Sequence, residues 1–261
     1  MHWVILRALS RELGFDGMMA AIASRNLPHT LVRKPPMAPY LVGDTGDEPI
    51  MLDIEGPVFV VGSTSMDEVS IAHGWNPGYI DAPDFHECLA HWGDRMLNAD
   101  SWTGRLADAV IMDDETRFVR PVEDIKNFAG RVHDARTFAE WRDPILALTV
   151  PATIDGDTMI QLASEKEIWS EYRCLMVGGR YVTGSRYKTG ETVAYSPDVG
   201  NRIIAYAEEC TAIWTPRRAI SLDIADTPDG LKIIETNSIC SAGFYASDMD
   251  RFVGAIEEEF A

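Results

Sequence analysis

Apolar and polar residues alternate along the chain in short blocks that predict both strands and helices. Near the N-terminus, Trp3–Leu6 has the pattern of a short strand and Gly17–Ser24 that of a helix. The apolar run Pro57–Val61 enters the turn Gly62–Ser65, which predicts a buried strand and then a helix that begins near Ser65–Asp67. Because strands alternate with helices, we expect a mostly parallel sheet here.

The next segments extend this pattern along the whole chain. A helix is predicted after Pro83-Asp84, where Phe85, Leu89, Trp92 and Met96 recur at helical spacing. Strands are predicted at Thr116–Pro121, Ile145–Val150, Met159–Ala163, Tyr172–Val177 and Arg180–Ser185, and helices at Pro197–Trp214 and Ser247–Phe260. The Gly-Ser-Thr-Ser turn after the buried strand predicts a phosphate cradle only weakly, since it lacks the Gly-x-Gly and Gly-Lys-Ser patterns.

A Gly178-Gly179 loop between two apolar runs is a strong hairpin signal. The loop pairs Val177 with Arg180. Counting back, Arg173 pairs with Gly184, Glu171 pairs with Arg186, and one face carries Glu171, Arg173, Arg186 and Lys188. This charged cluster has two interpretations, a ligand site or a surface ladder of ion pairs.

A second hairpin joins Ala219–Thr227 to a strand that ends at Asn237. A three-residue Pro-Asp-Gly loop would pair Thr227 with Leu231 and place Asp223 opposite Glu235. Asn237, Leu231 and Ile233 would share that face, so it should be partly buried. Like charges that lie opposite each other repel, and a divalent cation between them would relieve the repulsion.

A metal site is one interpretation of these two acids, and an exposed Asp–Glu pair that needs no metal is the other. In either case, replacing one of two opposed carboxylates should relieve repulsion. We therefore expect Asp223→Asn and Glu235→Gln to leave the fold intact or slightly more stable.

Length, charge and cysteine spacing limit the kinds of protein that this chain can be. The chain has 261 residues and 46% hydrophobic content, enough for a core and for one to two domains. The formal net charge of −18 repels nucleic acid and anionic membranes at long range, so we expect neither as a partner. The four cysteines lack Cys-x-x-Cys spacing and are typical of reduced thiols in a cytoplasmic protein. No apolar run reaches transmembrane length.

The order of these motifs resembles the ATP-grasp superfamily. It is most similar to the divergent clade that is named for two arginines and one lysine and includes phage and bacterial proteins and eukaryotic cell-division-cycle assembly factors. The runs F-V-R-P-V-E-D-I-K-N-F-A-G and I-I-E-T-N-S-I-C-S-A-G-F-Y carry the resemblance, and V-V-G-S-T-S and G-W-N-P-G agree with it.

The resemblance implies an α/β (α+β) ATP-grasp fold. An N-terminal α/β pre-ATP-grasp domain would occupy residues 1–100 and an ATP-grasp domain residues 101–261. In the second domain, two α+β subdomains at about 113–165 and 166–261 would sandwich the nucleotide.

The resemblance also implies a set of site residues and two cofactors, ATP and Mg²⁺. The metal ligands would be Asp223, Glu235 and Asn237, the three residues that the hairpin register places on one face. Nucleotide contacts would come from Arg120, Lys126, Gln161, Ala163, Ser164, Glu171, Arg173, Arg186 and Lys188. Arg173 and Lys188 would act in catalysis by orienting the γ-phosphate and the acylphosphate. Arg120 stands where ATP-grasp enzymes usually carry a lysine, and an arginine there agrees with this clade.

The implied activity is a carboxylate–amine (peptide-type) ligase that uses ATP and an acylphosphate intermediate. The carboxylate and amine substrates would include a protein, a peptide or a small amine, and the amine is expected near Thr189–Ser196. The alternative is an ATP-binding assembly factor or chaperone without ligase chemistry, as in the eukaryotic relatives.

Overall fold

The structure is a computed structural model that describes residues 1–122 and 128–261. The chain divides into two compact units. The first combines Met1–Pro83 with Ile168–Ala261, and the second is Asp84–Glu167. The predicted division into residues 1–100 and 101–261 follows the family organisation and stays a prediction.

The first sheet of the first unit confirms the predicted, mostly parallel arrangement. Its strands are β1 (His2–Leu6), β2 (His29–Arg33), β3 (Leu41–Gly43), β4 (Pro49–Ile50), β5 (Val58–Val61) and β6 (Pro77–Gly78), in the order β4-β3-β2-β1-β5-β6. Strands β2, β1, β5 and β6 run parallel, and β3 and β4 are antiparallel additions at one edge. A 3₁₀ helix (Arg7–Arg11) and the helices α1 (Phe15–Ser24) and α2 (Met66–His73) follow its strands.

The second unit contains a four-stranded antiparallel sheet. Its elements are α3 (Phe85–Trp92), β7 (Trp102–Arg105), β8 (Thr116–Pro121), β9 (Arg131–Asp134), α4 (Ala135–Leu146) and β10 (Met159–Ser164), with the sheet order β7-β10-β8-β9. The predicted strand Ile145–Val150 is wrong, because α4 continues to Leu146 and no strand follows before Met159. A capping box between Asp134 and Thr137 starts this helix.

A five-stranded antiparallel sheet completes the first unit. Its strands are β11 (Ser170–Val177), β12 (Arg180–Thr189), β13 (Thr192–Ser196), β14 (Ala219–Thr227) and β15 (Gly230–Ser238), in the order β13-β12-β11-β14-β15. The predicted helices correspond to α5 (Asn201–Ile213) and α6 (Met249–Phe260).

A β-bulge corrects the predicted register of the β14–β15 hairpin. Thr227 lies opposite Gly230 rather than Leu231, so the pairing starts one residue earlier than predicted. A register shift after Ile233 then restores the predicted pair of Asp223 and Glu235. Leu231 pairs with Asp226 and Ile233 pairs with Ile224, and both of these partners lie on the sheet face opposite Asp223. Leu231 and Ile233 therefore do not lie beside the two acids, which corrects the predicted shared face.

Two further register shifts change the Gly-Gly hairpin. Val177 lies opposite Arg180 as predicted. Beyond the first shift, Arg173 pairs with Ser185 instead of the predicted Gly184, and Arg186 pairs with Tyr172. Beyond the second shift, Glu171 pairs with Lys188 instead of the predicted Arg186. Arg186 therefore lies on the face opposite Arg173, which corrects the prediction that both belong to one cluster.

The two sheets of the first unit share one hydrophobic core. Trp3 and Phe59 of the first sheet contact Phe252 of α6, with ring centroids 6.3 and 6.5 Å away. Leu175 and Val177 of β11 belong to the same buried cluster. Residues 1–83 and 168–261 therefore depend on each other for burial of apolar surface.

All four cysteines are free and buried. In the described ranges, no helix has the length and apolarity that crossing a membrane requires.

Replacing Phe252 tests this shared core. Phe252 is fully buried, so Phe252→Ala should lower the free energy of unfolding by about 3–5 kcal/mol. Urea denaturation would measure the change. Met51, which is 89% exposed, is the control, and Met51→Ala should shift the free energy by less than about 0.5 kcal/mol. A small effect at Phe252 would contradict the shared core.

Candidate functional site

A row of polar side chains crosses the second sheet of the first unit. Arg173 on β11 lies directly opposite Asp223 on β14, and Asp223 lies directly opposite Glu235 on β15. Asn237 pairs with Ser221, two residues before Asp223, and therefore shares this face. The structure thus brings together Asp223, Glu235 and Asn237, the three predicted metal ligands.

Arg173 and Asp223 form a buried, bidentate ion pair. Nε of Arg173 donates to Oδ1 of Asp223 at 2.8 Å, and Nη2 donates to Oδ2 at 2.7 Å. The two side chains are only 9% and 2% exposed. Nη1 of Arg173 also donates to the carbonyl oxygen of Gly243 at 3.3 Å. This pair, which is not predicted from the sequence, gives the buried carboxylate a cationic partner without any metal.

Glu171 is the second acid held in this network. Its carboxylate pairs with Nζ of Lys188 at 3.0 Å and accepts a hydrogen bond from the Tyr187 hydroxyl at 2.8 Å. The same hydroxyl lies 3.5 Å from Oδ2 of Asp223. Tyr187 is the extra residue of the register shift in β12, and it therefore connects the Glu171–Lys188 pair to the Arg173–Asp223 pair.

Three tyrosines form an aromatic wall beside Arg173. The guanidinium carbon of Arg173 lies 4.9 Å from the ring centroid of Tyr245 and 5.7 Å from that of Tyr187. Tyr195 stacks on Tyr245 with ring centroids 5.0 Å apart. Sequence reasoning missed Tyr187 and Tyr245. Their only signal was proximity in sequence to Lys188 and to the Glu-Thr-Asn segment.

Burial and crowded negative charge determine the protonation of this network. Burial raises the pKa of Asp223; Arg173 lowers it, and Glu235 and Glu171 raise it again. Burial lowers the pKa of Arg173, but the Asp223 carboxylate outweighs this effect and the pKa lies above its ordinary value. The two short parallel hydrogen bonds indicate that the pair is ionised. Burial also raises the pKa of Tyr187, so its hydroxyl stays protonated and donates.

The oxygen donors of this row suit a hard divalent cation. Asp223 is buried, whereas Glu235 and Asn237 are half-buried at the end of the row, with Nδ2 of Asn237 3.3 Å from Oε1 of Glu235. Carboxylate and amide oxygens are ligands that Mg²⁺ prefers, and the negative charge around Asp223 favours a nearby cation. Over residues 1–122 and 128–261, no three His, Cys, Asp or Glu side chains form a metal cluster. Mg²⁺ here would therefore need further ligands, such as phosphate oxygens.

The predicted residues of the second unit lie on neighbouring strands. Arg120 on β8 is directly opposite Gln161 on β10. Gln161 is 2% exposed, and its Oε1 has no hydrogen-bond partner among the described residues. An unpartnered buried carbonyl oxygen is costly, and it suits a ligand N–H donor. Ala163 is buried, and the backbone N–H of Ser164 donates to Asp100 at 3.1 Å. Lys126 lies outside the described residues.

Comparison with known proteins gives one family and several similar folds. The matching family model describes an ATP-grasp domain, family 3 of the clade named for two arginines and one lysine, and it matches residues 39–256. A search of curated proteins finds no match.

Three solved structures illustrate the similarity in fold. The crystal structure of D-cycloserine synthetase DcsG has a TM-score of 0.64 and 11% identity, and the alignment covers 99% of each chain. D-alanine–D-alanine ligase from Bacillus anthracis, complexed with ATP, has a TM-score of 0.64 and 10% identity over 99% of this chain and 97% of that one. An ATP-grasp RimK domain protein from Sphaerobacter thermophilus has a TM-score of 0.61 and 12% identity over 96% and 97%.

The ion pair reverses one expectation about stability. Asp223→Asn leaves the Arg173 guanidinium buried without its anion, so it should destabilise the fold by about 3–5 kcal/mol. Glu235→Gln removes a half-buried charge that Asp223 repels, and it should change stability by less than about 1 kcal/mol. Urea denaturation of both variants measures the difference.

An apolar double variant is the control for this prediction. Arg173→Met combined with Asp223→Leu removes both charges, so it should recover much of the stability lost in Asp223→Asn. Equal stability of Asp223→Asn and the wild type would contradict a structural role for the pair.

Proposed function

Since this chain belongs to family 3 of the two-arginine, one-lysine clade of ATP-grasp domains, we propose that it is an ATP- and Mg²⁺-dependent ligase that joins a carboxylate to an amine. The observation that carries the proposal is the row formed by Asp223, Glu235 and Asn237 on one face of the second sheet. In an ATP-grasp protein, this donor set is suited to hold Mg²⁺ against nucleotide phosphates. The domain boundaries predicted above belong to the same proposal.

The proposed reaction has two steps. A carboxylate oxygen of the first substrate attacks the γ-phosphorus of ATP, ADP leaves, and an acylphosphate forms. The amine of the second substrate then attacks the acyl carbon, loses a proton, and releases phosphate as the C–N bond forms. Bound Mg²⁺ would neutralise the charge that develops on the phosphate oxygens. Such chemistry depends on positioning and charge neutralisation rather than on a side-chain nucleophile.

The chain's own residues take distinct roles in this proposal. Asp223, Glu235 and Asn237 hold the metal. Arg173 uses two of its nitrogens to fix Asp223, so we assign it a positioning role in addition to its predicted part in catalysis. Lys188 is paired with Glu171 at 3.0 Å and is the predicted contact to transferred phosphate.

The remaining predicted residues keep the nucleotide contacts that the family resemblance implies. Arg120 and Gln161 would bind the nucleotide from neighbouring strands, with the unpartnered Oε1 of Gln161 as an acceptor for an adenine amino group. Lys126, Ala163 and Ser164 keep their predicted nucleotide roles. Arg186 lies on the other face from Arg173, and this placement makes it the weakest member of the set.

The amine is proposed to bind beside the aromatic wall. Tyr195 of β13 is 46% exposed and stacks on Tyr245, which contacts Arg173. Glu191 is fully exposed and lies 3.9 Å from Nζ of Lys188. A protein, peptide or small amine with positive charge would suit this acidic chain of net charge −18. The four buried, free cysteines support a reducing, cytoplasmic location.

Calorimetric titration of ATP tests the metal site. With Mg²⁺, Glu235→Gln should weaken ATP binding by at least about tenfold, because a metal ligand is lost. Without Mg²⁺, wild type and variant should bind ATP alike. Glu258→Gln, an exposed acid on α6, is the matched control and should not change either titration. Binding that ignores Glu235 would refute the proposed metal site.

Product analysis then separates the ligase from the assembly-factor alternative. Hydroxylamine should trap an acylphosphate as a hydroxamate when the protein is given MgATP and the correct member of a panel of amino acids and short peptides. The Glu191→Ala, Tyr195→Ala double variant should retain hydroxamate formation but lose amine-dependent product. Tight MgATP binding without acceptor-stimulated ADP release would instead favour the assembly factor.

A further inference from the structure

A cavity lies at one edge of the N-terminal sheet, and none of the described residues assigned to the proposed metal, nucleotide or amine sites lines it. Its volume is about 820 Å³, which is within the range of small-molecule sites. Four cationic side chains line it together with serine hydroxyls, and the residues used below are Arg7, Arg11, Arg33, Lys34, Ser63 and Ser65. Ser63 and Ser65 belong to the V-V-G-S-T-S run that agrees with the family resemblance, whereas the four cationic residues belong to none of the runs quoted for it.

Sheet topology explains why these residues converge. Arg7 and Arg11 follow β1, Lys34 follows β2, and Ser63 and Ser65 follow β5. These three strands are parallel, and β1 lies between β2 and β5, so their carboxyl ends meet at one edge. The chain leaves β1 toward β2 and later returns to β5 on the other side of β1. Such a switch point is where open α/β sheets bind ligands.

The charge of the cavity is opposite to that of the chain. Four cations and one acid, Asp47, line it in a protein of net charge −18. Arg7 pairs with Asp44 at 3.4 Å and Arg33 with Asp47 at 3.1 Å. The acids are 38% and 94% exposed, so these ion pairs are weak and an anionic ligand can compete with the two carboxylates. Arg33 also donates to the backbone carbonyl oxygens of Gly43 and Gly46, which hold it in place when a ligand replaces Asp47.

Arg11 and Lys34 supply cationic charge that is not paired with a carboxylate in the described part of the chain. Among the described residues, neither has a carboxylate within ion-pair distance. Both line the same cavity as the two paired arginines, so four like charges surround one concavity. Such an arrangement focuses the local field and attracts anions despite the acidic surface elsewhere.

The turn Gly62–Ser65 adds hydroxyl donors at the mouth of the cavity. A Cβ at Gly62 would come within 2.7 Å of Cγ of Met66 and 3.1 Å of Cβ of Leu6, so only glycine allows the turn to pack this closely. Ser63 and Ser65 are exposed, and their hydroxyls are 2.8 Å apart. Paired hydroxyls next to arginines are suited to an oxyanion.

The same turn connects the cavity to the proposed metal site within the first unit. The Gly62 N–H donates to the carbonyl oxygen of Cys240 at 2.8 Å. Cys240 is three residues after Asn237, which limits their separation along the chain to roughly 10 Å. The turn that contributes two serines to the cavity is therefore bonded to the segment that follows the proposed metal ligands.

We propose that this cavity binds the oxyanion group, carboxylate or phosphate, of a small acidic metabolite. Arg11 and Lys34 make the main ion pairs, and Arg7 and Arg33 exchange their exposed carboxylates for the ligand. The assignment of this cavity as a substrate site rests on the ligase proposed above. The binding of an oxyanion in the cavity does not depend on that proposal.

Calorimetry with two probes, glutarate and inorganic phosphate, tests the proposal on the 261-residue chain without Mg²⁺. The pocket variant combines Arg11→Gln with Lys34→Gln. The control variant combines Arg136→Gln with Arg180→Gln, which removes the same charge from exposed positions outside the cavity. The pocket variant should bind the better probe about 10- to 100-fold more weakly, and the control should match the wild type. High salt should weaken the wild-type binding.

The outcomes separate this site from the nucleotide site. Preference for glutarate or for phosphate identifies the ligand as a carboxylate or a phosphate ester. Equal probe binding by the wild type and the pocket variant, or no binding by either, would overturn the proposal. MgATP should bind all three proteins alike. Loss of MgATP binding in the wild type would instead refute the proposed function and leave the anion site intact.

Discussion

The buried ion pair between Arg173 and Asp223 is the interaction on which the polar end of the second sheet depends. Its two hydrogen bonds of 2.7 and 2.8 Å hold a carboxylate in a position that is 1% exposed, where an unpaired charge would be very unfavourable. Once Asp223 is fixed, Glu235 lies opposite it and Tyr187 connects it to Glu171. The ion pair therefore allows three acids, Asp223, Glu235 and Glu171, to lie in one network of the folded sheet.

Register shifts determine which residues join this network. Two extra residues in β12 act here: the one near the turn moves Arg186 to the other face, and the second, Tyr187, lies next to Glu171. An extra residue in β15 returns Glu235 to the position opposite Asp223 after the turn has shifted the pairing. Because side chains alternate faces every residue, each shift exchanges the residues that face the site. Bulges often occur beside functional sites for this reason.

Charged side chains are arranged in two physically different ways in this protein. At the second sheet, cation and anion are both buried and satisfy each other, so the site is rigid and specific. At the N-terminal cavity, four cations line one concavity, and among the residues that the structure describes only Arg7 and Arg33 have ion pairs, which are exposed and weak. The first arrangement is suited to fixing metal ligands, and the second to capturing an anion from solution.

Local patterns in the sequence determined two strands of the N-terminal sheet, both C-terminal hairpins and the flanking helices, since these follow from periodicity and turn residues. The pair of Asp223 and Glu235 was predicted from a register that starts one residue too late, and it forms because the extra residue in β15 compensates for that difference. The Arg173–Asp223 pair, the aromatic wall and the basic cavity were decided by tertiary structure alone, because each joins segments that are distant in sequence. The strand predicted at Ile145–Val150 failed for a related reason: a capping box at Asp134 and Thr137 starts a helix that extends into its apolar run. Periodicity reports which face of an element is apolar, but only packing decides which residues meet across it.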